Sequence, residues 1–428
     1  MKDRLLDIGS SQKAARHRLT RVASTGYWDL GDTTETKIHR IHAYPAKFPA
    51  FLTTKALAYA RDSGIEVRRI ADVFCGCGTV AYEARRAGLE FWGCDINPVA
   101  TLIARAKSAD YQPRRLRSYT RAILAAFPDT SADHQLAAVA RERLARWYSP
   151  AQFNALARLL NAINASVPAR SEYRIAFHCA FSAILKSTSR WRQRSTKPAL
   201  DPGKLPTDAI AAFTKQCEAM ALAWTEAGPV YAAAPQIHNA NVMTIEPPQA
   251  RVDMIVTSPP YVTSYEYADL HQLSSLWLGY TDDYRHLRTG SIGSAQHDLN
   301  FRREFSRLND VGLQVVFSIF DKDRAAAQSI AKYYLDMQEV AKRCYTFLAD
   351  DGVAVFVIGN TEYSGVPVDN AAHLAESLFN AGFRRVRADK RRISNKLHTP
   401  FRDDSGRFSR SRTEKHIYSE EFVLIAHK

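Results

Sequence analysis

Cysteine is scarce in this chain, with six residues in 428 (Cys75, Cys77, Cys94, Cys179, Cys217 and Cys344), irregularly spaced and forming no CxxC pair. That pattern supports neither a disulfide framework nor a zinc site. Cys75 and Cys77 fall inside a glycine loop, where small side chains suit a tight turn. No uninterrupted apolar stretch of about 18 residues occurs, so a membrane span is not expected. The opening MKDRLLDIGSSQKAARHRLTR has no apolar core of signal-peptide type, and the expected location is a reducing cytoplasm. Internal repeats and long low-complexity tracts are also missing, which sets aside a repeat architecture.

What is abundant is positive charge. Lys and Arg outnumber Asp and Glu by 14, and the sequence pI is about 9.5. An excess of this size favours a polyanionic partner through counterion release. It is concentrated between Arg384 and Lys415, where twelve basic residues face four acidic ones. Hydrophobic residues at 46% and charged residues at 24% are ordinary for a globular enzyme. The length exceeds what one core usually organises, so one large domain with an insertion, or two domains, is expected.

Residues 1–37 read as a polar, basic extension. The spacing of Leu52, Ala56, Leu57 and Ala60 predicts a helix after Pro49. Then Ile70–Phe74 reads as a buried strand, Cys75–Gly78 as a turn, Thr79–Ala87 as a helix and Leu89–Asp95 as a second strand. This β–loop–α–β unit, spanning residues 38–110 with its lead-in, is the signature of a doubly wound α/β sheet. From 111 to 235 the apolar spacing is helical and strand signals are few. Strand-like sequence resumes at QIHNANVMTI and VDMIVTSPPY, followed by GVAVFVIGN, a helix over Asn370–Asn380 and the terminal EEFVLIAH. The pattern is an α/β domain interrupted by a helical insertion and completed by residues 236–428.

Two segments carry chemistry. Phe74-Cys75-Gly76-Cys77-Gly78-Thr79 joins strand to helix; its glycines allow a tight turn and close approach of a ligand, and Thr79 is placed to cap the helix. Amides at that helix N-terminus suit an anionic group. Asp95 ends the next strand, where a carboxylate accepts ribose hydroxyls, and Ile96-Asn97-Pro98 follows it. Together these predict a nucleoside cofactor, although NAD-binding folds share the pattern. The second segment is Thr257-Ser258-Pro259-Pro260-Tyr261 directly after the strand Val252–Val256. Two prolines stiffen the backbone and remove two amide donors, leaving a hydroxyl, a carbonyl and a ring at the carboxyl end of a strand. The Ser258 hydroxyl and the Pro259 carbonyl can accept hydrogen bonds from an exocyclic amine, drawing its nitrogen toward tetrahedral geometry. Tyr261 can stack on an extruded base.

On these two segments the chain resembles the amino-methyltransferases of DNA, the family that makes N4-methylcytosine or N6-methyladenine. Its catalytic motif (S/N/D)-P-P-(Y/F/W) is matched at Ser258–Tyr261, and its cofactor motif F-x-G-x-G-T at Phe74–Thr79. His42–Phe48 resembles the family segment that precedes the glycine loop, which puts Tyr44 and Pro45 at the methionine end of the cofactor. GVAVFVIGN…AGFRRV resembles the later strands and reversed hairpin. The resemblance covers about 300 residues, excluding the helical insertion. It implies a Rossmann-like class I methyltransferase sheet, S-adenosylmethionine as cofactor, double-stranded DNA as partner, no catalytic metal and no cysteine nucleophile. The helical insertion becomes the candidate target-recognition region, and a cognate restriction endonuclease is a possible partner. One departure stands out: the acidic residue expected near the cofactor adenine is missing from His238-Asn239-Ala240-Asn241, leaving Asn239 or Asn241 to accept the amine.

Serine at the first catalytic position is commoner among the family's cytosine-N4 enzymes, and Asn or Asp among adenine-N6 enzymes, so cytosine N4 is favoured and adenine N6 is the alternative. Further alternatives are an RNA amino-methyltransferase, a protein glutamine methyltransferase and a non-catalytic DNA-binding subunit. Candidate DNA contacts are Lys186, Arg190, Arg192, Arg194 and Lys197 in the insertion, Arg285 and Arg288 in a later loop, and Arg391, Arg392 and Lys396 in the basic run. His39 and His42 are expected to be structural, Trp277 to belong to a helix packing face, and Tyr265 and Tyr267 to line either the base pocket or the core.

Overall fold

The computed structural model describes residues 6–7 and 19–428, apart from positions 32, 194, 196, 229, 231, 263–265, 295, 296, 298, 364, 394–400, 403–407, 410–414, 417 and 418. Arg194, Tyr265 and Lys396 therefore lie outside the described residues.

Seven strands build the main sheet: β1 (Arg69–Asp72), β2 (Glu90–Asp95), β3 (Gln236–Asn239), β4 (Val252–Thr257), β5 (Leu348–Ile358), β6 (Arg385–Arg392) and β7 (Glu420–His427). They form one sheet in the order β3-β2-β1-β4-β5-β7-β6, and Leu6–Asp7 adds a two-residue edge beyond β6. β1 to β5 pair in parallel, whereas β7 runs antiparallel to both β5 and β6. This is a Rossmann-like methyltransferase sheet. The strand order reverses between β1 and β4, and crevices at such switch points are where open α/β sheets bind ligands.

Burial on both faces explains why β4 and β5 read as nearly continuous apolar runs. Successive side chains alternate between two cores. Met254, Val256, Val353, Val355 and Val357 face one side with Ile70, Val423 and Ile425. Ile255, Ala354, Phe356 and Ile358 face the other with Leu424 and Ala426. Helices α1 (Ala50–Asp62) and α2 (Thr79–Arg86) contribute to the first core. α3 (Pro98–Ser108) starts on Asn97, whose side chain accepts from Val99 N, with Pro98 in the first turn.

Between β2 and β3 the chain inserts five helices: α4 (Pro113–Ala126), α5 (Ala138–Ala145), α6 (Pro150–Ser166), α7 (Glu172–Ile184) and α8 (Ala209–Ala227). Their common core is continuous with Val99, Leu102, Ile103 and Ala106 of α3. It also takes in α9 (Gln272–Trp277), which follows the Ser258–Tyr261 loop. Trp277 is fully buried, with ring centroids 4.8 Å from Phe153, 5.9 Å from Tyr148 and 6.0 Å from Phe181. The helix packing face expected around Trp277 is thus the joint between the helical layer and the segment after β4. Three more helices, α10 (Asp310–Phe320), α11 (Arg324–Phe347) and α12 (Asn370–Asn380), supply the second sheet core. Among the described residues no helix is long and apolar enough to cross a membrane.

Two features went unseen in the sequence. α10 and α11 lie in a stretch for which no element was predicted. The other is the body of β6 beyond AGFRRV, which falls within the basic run from Arg384 to Lys415. Its charge hides a strand alternation: Val386 and Ala388 enter the apolar core, while Arg387, Asp389 and Arg391 are buried on the opposite face among polar partners. Arg387 Nη1 donates to the Tyr59 hydroxyl at 3.2 Å, and Asp389 accepts from Thr25 N at 3.0 Å. Farther along, Phe401–Arg402 pairs antiparallel with Phe408–Ser409 and with Lys415–His416.

Trp277→Ala is expected to cost about 3–5 kcal/mol, the usual range for emptying a buried aromatic site, measured by denaturant unfolding. A cost under about 1 kcal/mol would mean that the helical layer does not depend on this joint.

Candidate active site

β1 ends at Asp72 and the chain turns through the glycine loop. Gly76 (φ 49°) and Gly78 (φ 75°) both occupy the left-handed region that favours glycine. At Gly78 space also matters, because a Cβ there would stand 2.6 Å from Ala104 Cα on α3. At Gly76 a Cβ would meet the Tyr44 ring at 3.6 Å. The N-cap of α2 is Gly78, not Thr79. Thr79 is the first helical residue, and no side-chain hydrogen bond caps the helix. The left-handed turn at Gly78 brings Thr79 into helical geometry one position earlier than a Thr79 cap requires.

Asp95, at the end of β2, receives Gly76 N on one oxygen and Asn97 N on the other, both at 2.8 Å. These two amides hold the carboxylate in place, and each oxygen retains a lone pair for a further donor. Burial pushes its carboxyl up to about 6, opposed by the two backbone amides. Tyr44 lies beside this carboxylate, its ring stacked on His271 (5.1 Å) and Tyr267 (6.1 Å). Burial, with Asp95 next, pushes the Tyr44 phenol well above its ordinary range. His271 Nδ1 in turn meets Asn97 Nδ2 at 2.8 Å. Tyr44, and with it the segment before the glycine loop, is thereby brought against Gly76. His42 Nε2 lies 2.9 Å from Ser182 Oγ and His39 Nε2 lies 2.8 Å from Glu83 Oε1, so both histidines take protein partners. Burial lowers His42 to about 4, leaving it neutral at neutral pH.

At the end of β3, Asn239 Nδ2 donates to the carbonyls of Asp95 and Ile96, both at 3.0 Å. Asn241 spends both ends of its amide inside the protein, donating to Gly290 O at 3.0 Å and accepting from Met243 N at 2.9 Å. Asn239 is exposed at the strand end, beside Ile96, and is the better placed of the two to meet a ligand.

β4 delivers the second motif beside the first. Thr257, its last residue, donates to Asp72 Oδ1 at 2.6 Å, and the same oxygen accepts from Phe74 N at 3.0 Å. One buried carboxylate therefore ties the end of β4 to the start of the glycine loop. Ser258 Oγ donates to Val357 O on β5 at 2.9 Å, so the hydroxyl hydrogen is occupied and its lone pairs remain acceptors. Pro259 and Pro260 follow, and then Tyr261, whose ring lies along Gly359: a Cβ there would approach Tyr261 Cε2 to 3.1 Å. The Tyr261 hydroxyl donates to Glu421 Oε1 at 2.6 Å, and Arg391 grips Glu421 Oε2 from Nε and Nη2 at 2.7 and 2.6 Å. Nothing in the sequence distinguished Glu421 from its neighbours.

Three of the residues expected to contact DNA take partners within the protein. Arg391 is buried against Glu421 and is not a surface cation. Lys186 turns back to Ser195 O at 2.9 Å and over the Trp191 ring, and Arg288 pairs with Asp269 at 2.6 Å with its side chain only 16% exposed. Arg391 and Arg288 each meet a carboxylate that lies close in space though far in sequence, and Lys186 meets a carbonyl and a ring. Arg190 is half-buried, Arg285 is exposed but paired with Asp283, and Arg192, Lys197 and Arg392 are exposed.

Sheet order, glycine loop and β4 loop together define the fold as that of a Rossmann-like methyltransferase. No protein-family model matches the chain. It is similar to the Type II methyltransferase M.MvaI of Kocuria varians, 21% identical over 397 residues covering 86% of each chain. Two structures of the rRNA methyltransferase AviRa from Streptomyces viridochromogenes overlap 94% of this chain at 11% identity, with TM-scores of 0.32 and 0.31, superpositions too loose to bear on function.

Asp72 supplies a pH test. Burial pushes its carboxyl up from 3.8 to about 7, against the Thr257 and Phe74 hydrogen bonds. A carboxyl that binds its proton more tightly in the folded chain favours folding at low pH. That contribution is complete below about 3.8 and is lost as the pH rises to about 7. Asp72→Asn keeps the Oδ1 acceptor and removes the titration. The unfolding free energy of the wild type relative to this variant is expected to fall across that interval and to level off above it, as read by denaturant melts at stepped pH. A flat difference would show that Asp72 titrates alike in both states.

Proposed function

We propose that this chain is an S-adenosylmethionine-dependent DNA methyltransferase that methylates the exocyclic N4 amine of cytosine in duplex DNA, within a restriction–modification or related system. The observation that carries this reading is the junction at the switch point: Phe74–Thr79 and Ser258–Tyr261 leave adjacent strands β1 and β4, tied by the Thr257–Asp72 hydrogen bond. The similarity, over 86% of each chain, to a protein named as a Type II methyltransferase supports it.

The residues present fit the cofactor. Gly76 and Gly78 open the backbone where any side chain would meet Tyr44 or α3, and the Asp95 carboxylate is held at the end of β2 with lone pairs to spare. Tyr44, Pro45, Gly76 and Asp95 would hold the methionine and ribose ends, with Ile96 and Asn239 at the adenine. When bound, S-adenosylmethionine supplies an electrophilic methyl carbon on sulfonium. The work of the chain is positioning, which converts a bimolecular encounter into an effectively unimolecular one. Ser258 Oγ, its own hydrogen committed to Val357, and the Pro259 carbonyl accept the two hydrogens of the amine and orient its lone pair. Tyr261 offers its ring to the flipped base, offsetting an unstacking cost of a few kcal/mol. The helical layer from 111 to 235 is the target-recognition region in this reading. Arg192, Lys197 and Arg392 are the exposed cations that contact phosphate, and a cognate endonuclease is the implied partner.

Purified protein is expected to transfer labelled methyl from S-adenosylmethionine to duplex DNA, and nucleoside mass spectrometry to find N4-methylcytosine. N6-methyladenine instead would replace the base assignment, and transfer to RNA alone would overturn the DNA reading. Ser258→Ala and Tyr261→Ala are each expected to lower turnover ~10²-fold or more, as for loss of a preorganised polar or positioning contact. Calorimetry should show cofactor affinity nearly unchanged; full activity in both variants would refute the catalytic assignment.

A further inference from the structure

Tyr261 is anchored at its far end by residues outside its own loop. Its hydroxyl reaches Glu421, 160 positions later, at 2.6 Å. Glu421 lies near the start of β7, and the strand register places it directly opposite Arg391 of β6. Arg391 donates from Nε and Nη2 to the carboxylate oxygen that Tyr261 leaves free. The Arg391 and Glu421 side chains are 7% and 14% exposed, and the guanidinium also lies 5.8 Å from the centre of the Phe51 ring. Three side chains from three elements thus form one chain of charge-assisted hydrogen bonds ending on the phenol.

This arrangement is costly unless it does something. A buried ion pair is weak evidence of stability, because well-packed apolar residues in its place are often as stable or more so. What the pair supplies here is direction. An aromatic ring at the end of a loop has two free torsions, and a fixed acceptor at its hydroxyl, with Gly359 flat against its edge, removes that freedom. Burial, and after it the Glu421 charge, push the phenol well above its ordinary range, so it stays a neutral donor.

We propose that Glu421, held by Arg391, is the positioning residue of this site: it sets the plane of the Tyr261 ring so that the ring is ready to stack on the extruded base. The proposal rests on the methyl-transfer reading above. It goes beyond the Ser258–Tyr261 motif by assigning a role to a carboxylate on the terminal strand.

The test compares Glu421→Gln, Tyr261→Phe and the double variant. Glutamine preserves shape and an acceptor beside Arg391, and phenylalanine preserves the ring. Each single variant is expected to lower kcat about tenfold, the scale of one charge-assisted hydrogen bond, with cofactor KM and melting temperature near wild type. The double variant is expected to be no worse than either single one, because both remove the same contact. Multiplying losses, or wild-type kcat in Glu421→Gln beside an impaired Tyr261→Phe, would overturn the proposal. Loss of cofactor binding and melting temperature together in Glu421→Gln would do so too, by making the residue merely structural. Absence of DNA methylation by the wild-type protein would instead overturn the reading on which the proposal rests.

Discussion

A single carboxylate, Asp72, sits where two distant parts of the chain converge. It ends β1, accepts Thr257 from the end of β4 and Phe74 N from the glycine loop, and is buried. Burying a carboxyl is unfavourable unless its oxygens are satisfied. The loop and the strand end must therefore keep the positions that satisfy it. The distance between a candidate cofactor cradle and a candidate amine acceptor is set, through this residue, by two hydrogen bonds to its Oδ1, of 2.6 and 3.0 Å.

Other buried polar groups extend the same constraint outward. Asp95 is clamped by Gly76 N and Asn97 N, Asn97 reaches His271, and His271 stacks under Tyr44. His271 lies one residue before α9, whose Trp277 is enclosed by the helical layer. The path from glycine loop to helical layer is thus a series of direct contacts between named side chains. A change in how the helical layer packs has a physical route to the residues around Asp95. On the opposite flank, Tyr261 is tied through Glu421 and Arg391 to the two strands that complete the sheet.

Much of the fold was legible because its cues are local. A strand followed by two glycines and a helix, a second strand ending at Asp95, and apolar runs at β4, β5 and β7 each follow from backbone sterics or burial over a few residues. α12 was predicted over Asn370–Asn380 and forms there. β6 was obscured because Arg and Lys at alternate positions look the same whether they face solvent or a partner. The stretch holding α10 and α11 was left unassigned even though its apolar spacing faces the sheet core.

The sequence by itself determined the α/β order, the interruption by helices, and the two loops whose glycines and prolines dictate backbone shape, since those demands are met within a few residues of where they are written. Tertiary structure alone decided which side chains complete the site. Thr257 and Asp72 are 185 positions apart, and Tyr261 and Glu421 are 160 apart. Hydrogen bonds and ion pairs depend on distances of a few ångströms that only the folded sheet creates. The same rule sorted the cations: Arg391 and Arg192 are indistinguishable as letters, and differ because one is buried on a carboxylate and the other faces water.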